Sequence, residues 1–244
     1  MPSSARAAAP PGAARAVVVA VTATVLAALA MRRWLELDTA FLWTVLVLAP
    51  LCGAVLVVLA ATRGAGARFG RANEVTLARG ALVLLLVALV AARPDGAVAW
   101  LIVVLALAAL SLDGVDGSLA RRRGETSAFG ARFDMETDAV LIVALAALAL
   151  QQGKAGPWIV LAGALRYLFV AASAPLPWLR RALPASRRRQ TVCVLQIVSL
   201  IACLVPPVAA PASGVIAGAG LVLLVGSFAV DVVWLARRSG EPLA

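Results

Sequence analysis

Long, uninterrupted apolar runs constrain this chain more than any other feature. Runs of about 17 to 25 mostly apolar residues, the length that spans hydrocarbon as a helix, fall near 16–31, 40–62, 76–92, 97–119, 129–151, 156–174, 190–208 and 213–236. Backbone N–H and C=O groups in lipid must be satisfied within the segment, so such runs become helices. With 63% hydrophobic residues and a mean hydropathy of +0.98, the chain is expected to be an integral membrane protein. The predicted fold is all-α, a polytopic membrane helical bundle of eight spans.

The Ala-, Pro- and Ser-rich residues 1–14 read as a flexible cytoplasmic tail, and 15–62 as an N-terminal pair of transmembrane helices. Residues 63–72, with three arginines and three glycines, read as a basic linker, 73–238 as a six-helix domain and 239–244 as a C-terminal tail. The weakly basic start and small residues Ala28 to Ala30 have some features of a cleaved signal peptide, but Arg32 and Arg33 directly after the run favour a retained span.

Charge orients the bundle. An inner amino terminus puts sixteen arginines on the inner side, with Arg32, Arg33, Arg93 and Lys154 on the outer side. That asymmetry predicts both termini in the cytoplasm. Trp34, Trp43, Trp100, Trp158, Trp178 and Trp234 fall near predicted span ends, as an interfacial belt does. The net charge of +10 follows from basic loops beside anionic membrane lipid, and no basic stretch interleaved with aromatics argues for nucleic acid. Cys52, Cys193 and Cys203 lie in apolar runs at unrelated spacings and read as small buried hydrophobes. The chain has no histidine, so imidazole ligands and bases are excluded, and carboxylate is the natural base.

Against this oily background stands a polar constellation: Asp113-x-x-Asp116-Gly117-x-x-Ala120-Arg121, then Gly130-x-x-x-Asp134-x-x-x-Asp138. Residues three and four apart share a helix face, so each half forms a stripe, and a short connection lets the two stripes face each other. Carboxylates gathered in this way repel unless a cation sits among them. Hard oxygen donors that leave room for water and phosphate suit Mg²⁺ or Mn²⁺. Gly117, Ala120 and Gly130 would let a flat ligand or a diphosphate approach the backbone, and Arg121 supplies a fork for a phosphate oxygen.

The pattern resembles the signature of the CDP-alcohol phosphotransferase (CDP-alcohol phosphatidyltransferase) family. A shorter element of that family, Asn-x-x-Thr-x-x-Arg, is matched by Asn73, Thr76 and Arg79. The resemblance implies a six-helix catalytic domain, to which the first two spans are extra. It implies that Asp113, Asp116 and Asp134 hold two divalent metal ions, Mg²⁺ or Mn²⁺, and that Asp138 removes the acceptor's proton and also touches metal. It further implies that Gly117, Ala120, Arg121 and Gly130, with Asn73 and Thr76, line the CMP half of a CDP-alcohol donor. The acceptor hydroxyl would attack the phosphorus distal to cytidine, releasing CMP, with CDP-diacylglycerol the expected donor. Relatives are often homodimers, although Gly214, Gly218 and Gly220 could equally serve packing within one chain.

Some residues stay open. Arg79 is either a snorkelling helix-end charge or a partner of the acidic cleft, and with Arg166 it is a candidate contact for the acceptor or a phosphate. Arg166 stands in mid-span, where an unpaired charge is costly, and points to a role inside the bundle on a carboxylate, a lipid phosphate or the acceptor. Asp231 is expected to be solvated or paired with Arg237 or Arg238, and Glu136 lies off the motif's face. The arginine-rich loop 175–190 reads as a contact for anionic lipid or a funnel for a phosphorylated acceptor. Members that use phosphorylated acceptors usually carry a basic residue after the last motif aspartate, where this chain has Ala139, so the acceptor alcohol stays unnamed. Two other functions fit the residues less well: an intramembrane Mg²⁺-dependent prenyltransferase, whose Asn-Asp-x-x-Asp-x-x-x-Asp motif neither stripe reproduces, and a cation transporter or scaffold, which has no need of Arg121 and the small residues.

Overall fold

A computed structural model describes residues 12–62, 70–93, 98–123, 127–181 and 183–238; within them, the side chains of 115–123 and 128 are not described. The described residues form helices joined by short connections, with no strand among them. The helices are α1 (Ala13–Leu35), α2 (Thr39–Thr62), α3 (Arg71–Ala92), α4 (Ala99–Arg123), α5 (Ala128–Gln151), α6 (Val160–Ala172), α7 (Arg187–Leu204) and α8 (Ala212–Arg237).

Four helices, α1, α2, α3 and α8, are long and apolar enough to cross a membrane, and shorter apolar helical stretches cover 99–114 and 157–172. Several spans of this kind make the protein an integral, polytopic helical membrane protein. The remaining predicted spans also coincide with helices, but polar residues interrupt their hydropathy. α5 carries Arg132, Asp134, Glu136 and Asp138 in its first half, and α7 opens on Arg187, Arg188 and Arg189. The run predicted at 156–174 is helical over 157–172, its first turn Pro157–Ile159 wound as 3₁₀ and leading directly into α6. Proline fixes φ and lacks an N–H, which suits that first turn. Most of the predicted tail and linker lies outside the described residues, and α1 already begins at Ala13.

The chain divides into two compact units, Met1–Asp138 and Ala139–Ala244, with the boundary inside α5. In the first unit α1 packs on α2, and both pack on α3, which also packs on α4. The turn between α1 and α2 follows from local chemistry. Glu36 adopts a left-handed backbone, and the Asp38 carboxylate accepts bonds from the Thr39 hydroxyl at 2.9 Å and the Ala40 N–H at 3.2 Å. These bonds, the Thr39 hydroxyl foremost, hold the Asp38 carboxyl below the usual carboxylate range. Gly53 lets α1 approach α2 closely, because a Cβ there would stand 2.8 Å from a methyl of Val17. The buried cluster of Ala13, Val17, Leu56, Ala60 and Phe129 ties the start of α5 to α1 and α2, with Leu77 and Phe133 packed against it.

In the second unit, α7 and α8 pack together and α8 also meets α6. The Lys154 ammonium donates to the carbonyls of Val205, Pro206 and Val208 at 3.3, 3.2 and 2.6 Å, holding the turn that follows α7. Ser213 closes the same corner by donating to the Lys154 carbonyl at 2.7 Å. Asp231, expected to be solvated or paired with Arg237 or Arg238, instead pairs with Arg188 at 2.5 Å and Arg189 at 3.3 Å. Arg238 lies over the Trp234 ring, 4.2 Å from its centre. Cys203 is buried as expected and Cys193 is half-buried, whereas Cys52 is exposed on the surface of α2. An outward position on a spanning helix is covered by lipid, which an apolar sequence context cannot distinguish from protein.

Candidate functional site

The first turns of α5 carry two stripes. Phe129 and Phe133, one turn apart with ring centres 6.2 Å from each other, face the apolar cluster. Gly130, Asp134 and Asp138 form the neighbouring stripe, one residue further round. The helix start is set by Ser127, whose hydroxyl accepts the Gly130 N–H at 2.9 Å while its carbonyl accepts the Ala131 N–H at 3.0 Å. This N-cap orients the stripe. A Cβ on Gly130 would lie 2.8 Å from Asn73 Oδ1 and 3.1 Å from Ser127 Oγ, so glycine is what lets α3 and α5 come this close.

From α3, Asn73, Thr76 and Arg79 recur every third residue, and all three are buried. Arg79 is the largest fully buried side chain, at 0% exposure. Its Nη1 lies 2.5 Å from Asp113 Oδ1 of α4 and 2.8 Å from Asp134 Oδ1, and its Nη2 lies 2.8 Å from Asp138 Oδ1. Nη2 also donates to the Asp134 carbonyl at 3.1 Å. The Asp134 contact is a charge contact only, since Asp134 Oδ1 makes no hydrogen bond despite being buried. The choice left open for Arg79 is thereby resolved: it is a partner of the acids.

Asp113, Asp134 and Asp138 each offer a carboxylate oxygen within 4.8 Å of the others. Among the described side chains, three acids meet one guanidinium here, three negative charges against one positive. The carboxylates are 21–41% exposed, so the cluster is sealed on the Arg79 side and open on another. Hard oxygen donors, closely gathered and accessible, fit a divalent cation.

The structure thus brings Asp113, Asp134 and Asp138 together with Arg79 and sets Asn73 against Gly130. Thr76 is on the same face of α3, with its hydroxyl donating to the Ala72 carbonyl at 3.1 Å. Asp116, Gly117, Ala120 and Arg121 continue α4, but their side chains lie outside the described residues. Arg166 is half-buried on α6, in the second unit. Sequence reasoning missed Ser127 as the cap that orients the α5 stripe. The available signal was a serine three residues before Gly130, at the foot of an apolar run.

Among known proteins, the family model described as CDP-alcohol phosphatidyltransferase matches residues 69–230, a segment that contains all of these positions. No curated protein and no solved structure matches the chain.

Proposed function

Because the chain belongs to the CDP-alcohol phosphatidyltransferase family, and is therefore a membrane phosphotransferase that moves a phosphoryl group from a CDP-alcohol donor to a hydroxyl acceptor in lipid metabolism, we propose that the Arg79-centred acid cluster is its catalytic centre. One observation carries this reading: three motif carboxylates from two helices converge on one buried guanidinium, gathered within 4.8 Å of one another and partly accessible.

In this reading Asp113, Asp116 and Asp134 would hold two divalent ions, Mg²⁺ or Mn²⁺, and Asp138 would also touch metal. When bound, these ions neutralise the donor's diphosphate and stabilise the departing CMP. Asp138 takes the proton of the acceptor hydroxyl as that oxygen attacks the phosphorus distal to cytidine. The P–O bond to CMP breaks and a phosphodiester forms. Arg79 holds the three carboxylates in mutual register, which is a positioning role. Gly130 and Asn73, with Thr76, Gly117, Ala120 and Arg121, line the CMP half of the donor; the close approach of Asn73 to Gly130 supports that assignment.

The finer architecture belongs to the same proposal. It consists of a six-helix catalytic domain over 73–238, two additional N-terminal transmembrane helices, both termini in the cytoplasm, and an active site near the cytoplasmic face. The arginine asymmetry of the loops supports that orientation. A site within a bilayer favours CDP-diacylglycerol as donor. The test is CMP release by the purified chain from labelled CDP-diacylglycerol with a pool of alcohols, with products identified by lipid mass. A new phospholipid formed together with CMP supports the reading, and no CMP with any alcohol in the presence of Mg²⁺ or Mn²⁺ contradicts it.

A further inference from the structure

Helix α3 has a second face that lines a groove. At 3.6 residues per turn, Glu74, Ala78, Ala81, Leu82 and Leu85 project almost opposite to Asn73, Thr76 and Arg79. Together with α1 they wall a groove of about 750 Å³, to which α1 contributes Arg15, Ala16, Val19, Ala20, Ala23, Thr24 and Ala27. Both helices are long and apolar enough to span a membrane, so the groove opens on lipid.

Its wall asks nothing polar of an occupant. The Thr24 hydroxyl is spent on the Ala20 carbonyl at 2.7 Å, and the other wall residues beyond the first turns are alanine, valine and leucine. Its length is set by the helical rise: Arg15 to Ala27 covers about 18 Å and Glu74 to Leu85 about 16 Å. That is close to half of a hydrocarbon core of about 30 Å, the depth of one leaflet. Charge is confined to one end, where Arg15 and Glu74 stand in the first turns of their helices. Both are exposed, and neither forms an ion pair among the described residues. A cation and an anion at the same end of a leaflet-deep apolar groove, with no ion pair between them among the described residues, complement a headgroup that itself carries both signs. A purely anionic head would meet Glu74 and be repelled.

We propose that the α1–α3 groove binds one zwitterionic phospholipid, its phosphate on Arg15, its ammonium on Glu74 and an acyl chain along the alanine-lined wall. The N-terminal helix pair then has a use, since α1 supplies half of a lipid site that α3 alone cannot form. The proposal rests on the membrane reading of α1 and α3 and not on the chemistry at Arg79, so it stands or falls separately from CMP release.

The test reconstitutes the full chain in vesicles of phosphatidylethanolamine or of phosphatidylglycerol, extracts it in mild detergent and counts retained phospholipid by native mass spectrometry. Phosphatidylethanolamine is expected to stay bound at one per chain, with phosphatidylglycerol held roughly tenfold less well, the worth of one charge-assisted contact. Ala20→Phe combined with Ala81→Phe is expected to fill the groove and abolish retention. Glu74→Gln, an exposed change that leaves packing intact, is expected to erase the preference between the two lipids. Equal retention of both lipids by the unmodified chain, or a preference that survives Glu74→Gln, overturns the proposal. Displacement of the bound phosphatidylethanolamine by an equal concentration of CDP-diacylglycerol also overturns it, by making the groove the donor's own acyl site.

Discussion

Two arginine–aspartate clusters in this molecule have opposite charge balances. In the first unit one arginine meets three aspartates, Asp113, Asp134 and Asp138, leaving one positive against three negative. In the second unit two arginines, Arg188 and Arg189, meet the single Asp231, leaving two positive against one negative. The second cluster is also satisfied locally, since Arg188 donates to the Ser227 hydroxyl at 2.5 Å and to its carbonyl at 2.7 Å. Its Asp231 is neutralised within the chain, and that arrangement needs no added cation to clip α7 to α8. Among the described residues the first keeps more acids than cations and is partly open, so an added cation would be stabilised there. Among the described residues, similar side chains thus give a clasp whose single acid is neutralised in one unit and an acid-rich cluster that could hold a cation in the other.

The sharpest way to break this contrast is to remove a single carboxylate from each cluster. Asp138→Asn is expected to lower CMP release by about 10²–10⁴-fold, the usual worth of a positioned general base, while helical content by circular dichroism is unchanged. Normal turnover in that variant would remove Asp138 from the chemistry. Arg79→Gln comes next. In metal-free protein it is expected to cost about 2 kcal/mol in a thermal unfolding experiment, less than a fully buried pair because its partners are 21–41% exposed. Added Mn²⁺ is expected to restore much of that loss, because a bound cation can replace the missing guanidinium charge. A loss that Mn²⁺ leaves untouched would mean that Arg79 and metal do not share the same acids.

Gly130→Ala probes the geometry and not the charge. The new methyl meets Asn73 Oδ1 and Ser127 Oγ, both side-chain ends that can give a little, so about 1 kcal/mol of stability is at stake. A raised KM for the CDP-alcohol with kcat less affected is the expected kinetic signature, and an unchanged KM would detach Gly130 from the donor. Asp231→Asn should have the smallest effect. Arg188 and Arg189 are about one third exposed, so the change is expected to cost under about 1 kcal/mol and to leave the metal requirement for CMP release intact. Loss of that requirement would erase the distinction between the two clusters.

Much of the cluster was legible in the chain because helical spacing is a local property. Asp134 and Asp138 had to share a face, and so did Asn73, Thr76 and Arg79, whatever the tertiary fold. Their neighbours across helices were not legible. Nothing in the spacing of α3 tells whether Arg79 turns to acids or snorkels to the interface, and only the packing of α3 on α4 and the approach of α5 at Gly130 decide it. Asp231 illustrates the same limit. Arg237 and Arg238 are near in sequence, but six and seven positions away is nearly two turns along the helix, whereas Arg188 and Arg189 come from another helix 43 and 42 positions away. Apolar runs predicted helices well, but they could not foresee that Cys52 would face outward.

The most direct measurement is Mn²⁺ binding to the purified full chain, followed by electron paramagnetic resonance. The unmodified protein is expected to hold Mn²⁺, and the double variant Asp113→Asn with Asp134→Asn to lose it, while Asp231→Asn binds as the unmodified chain does. Equal Mn²⁺ affinity in the unmodified protein and the double variant would contradict the assignment of the Arg79 cluster as the metal and donor site.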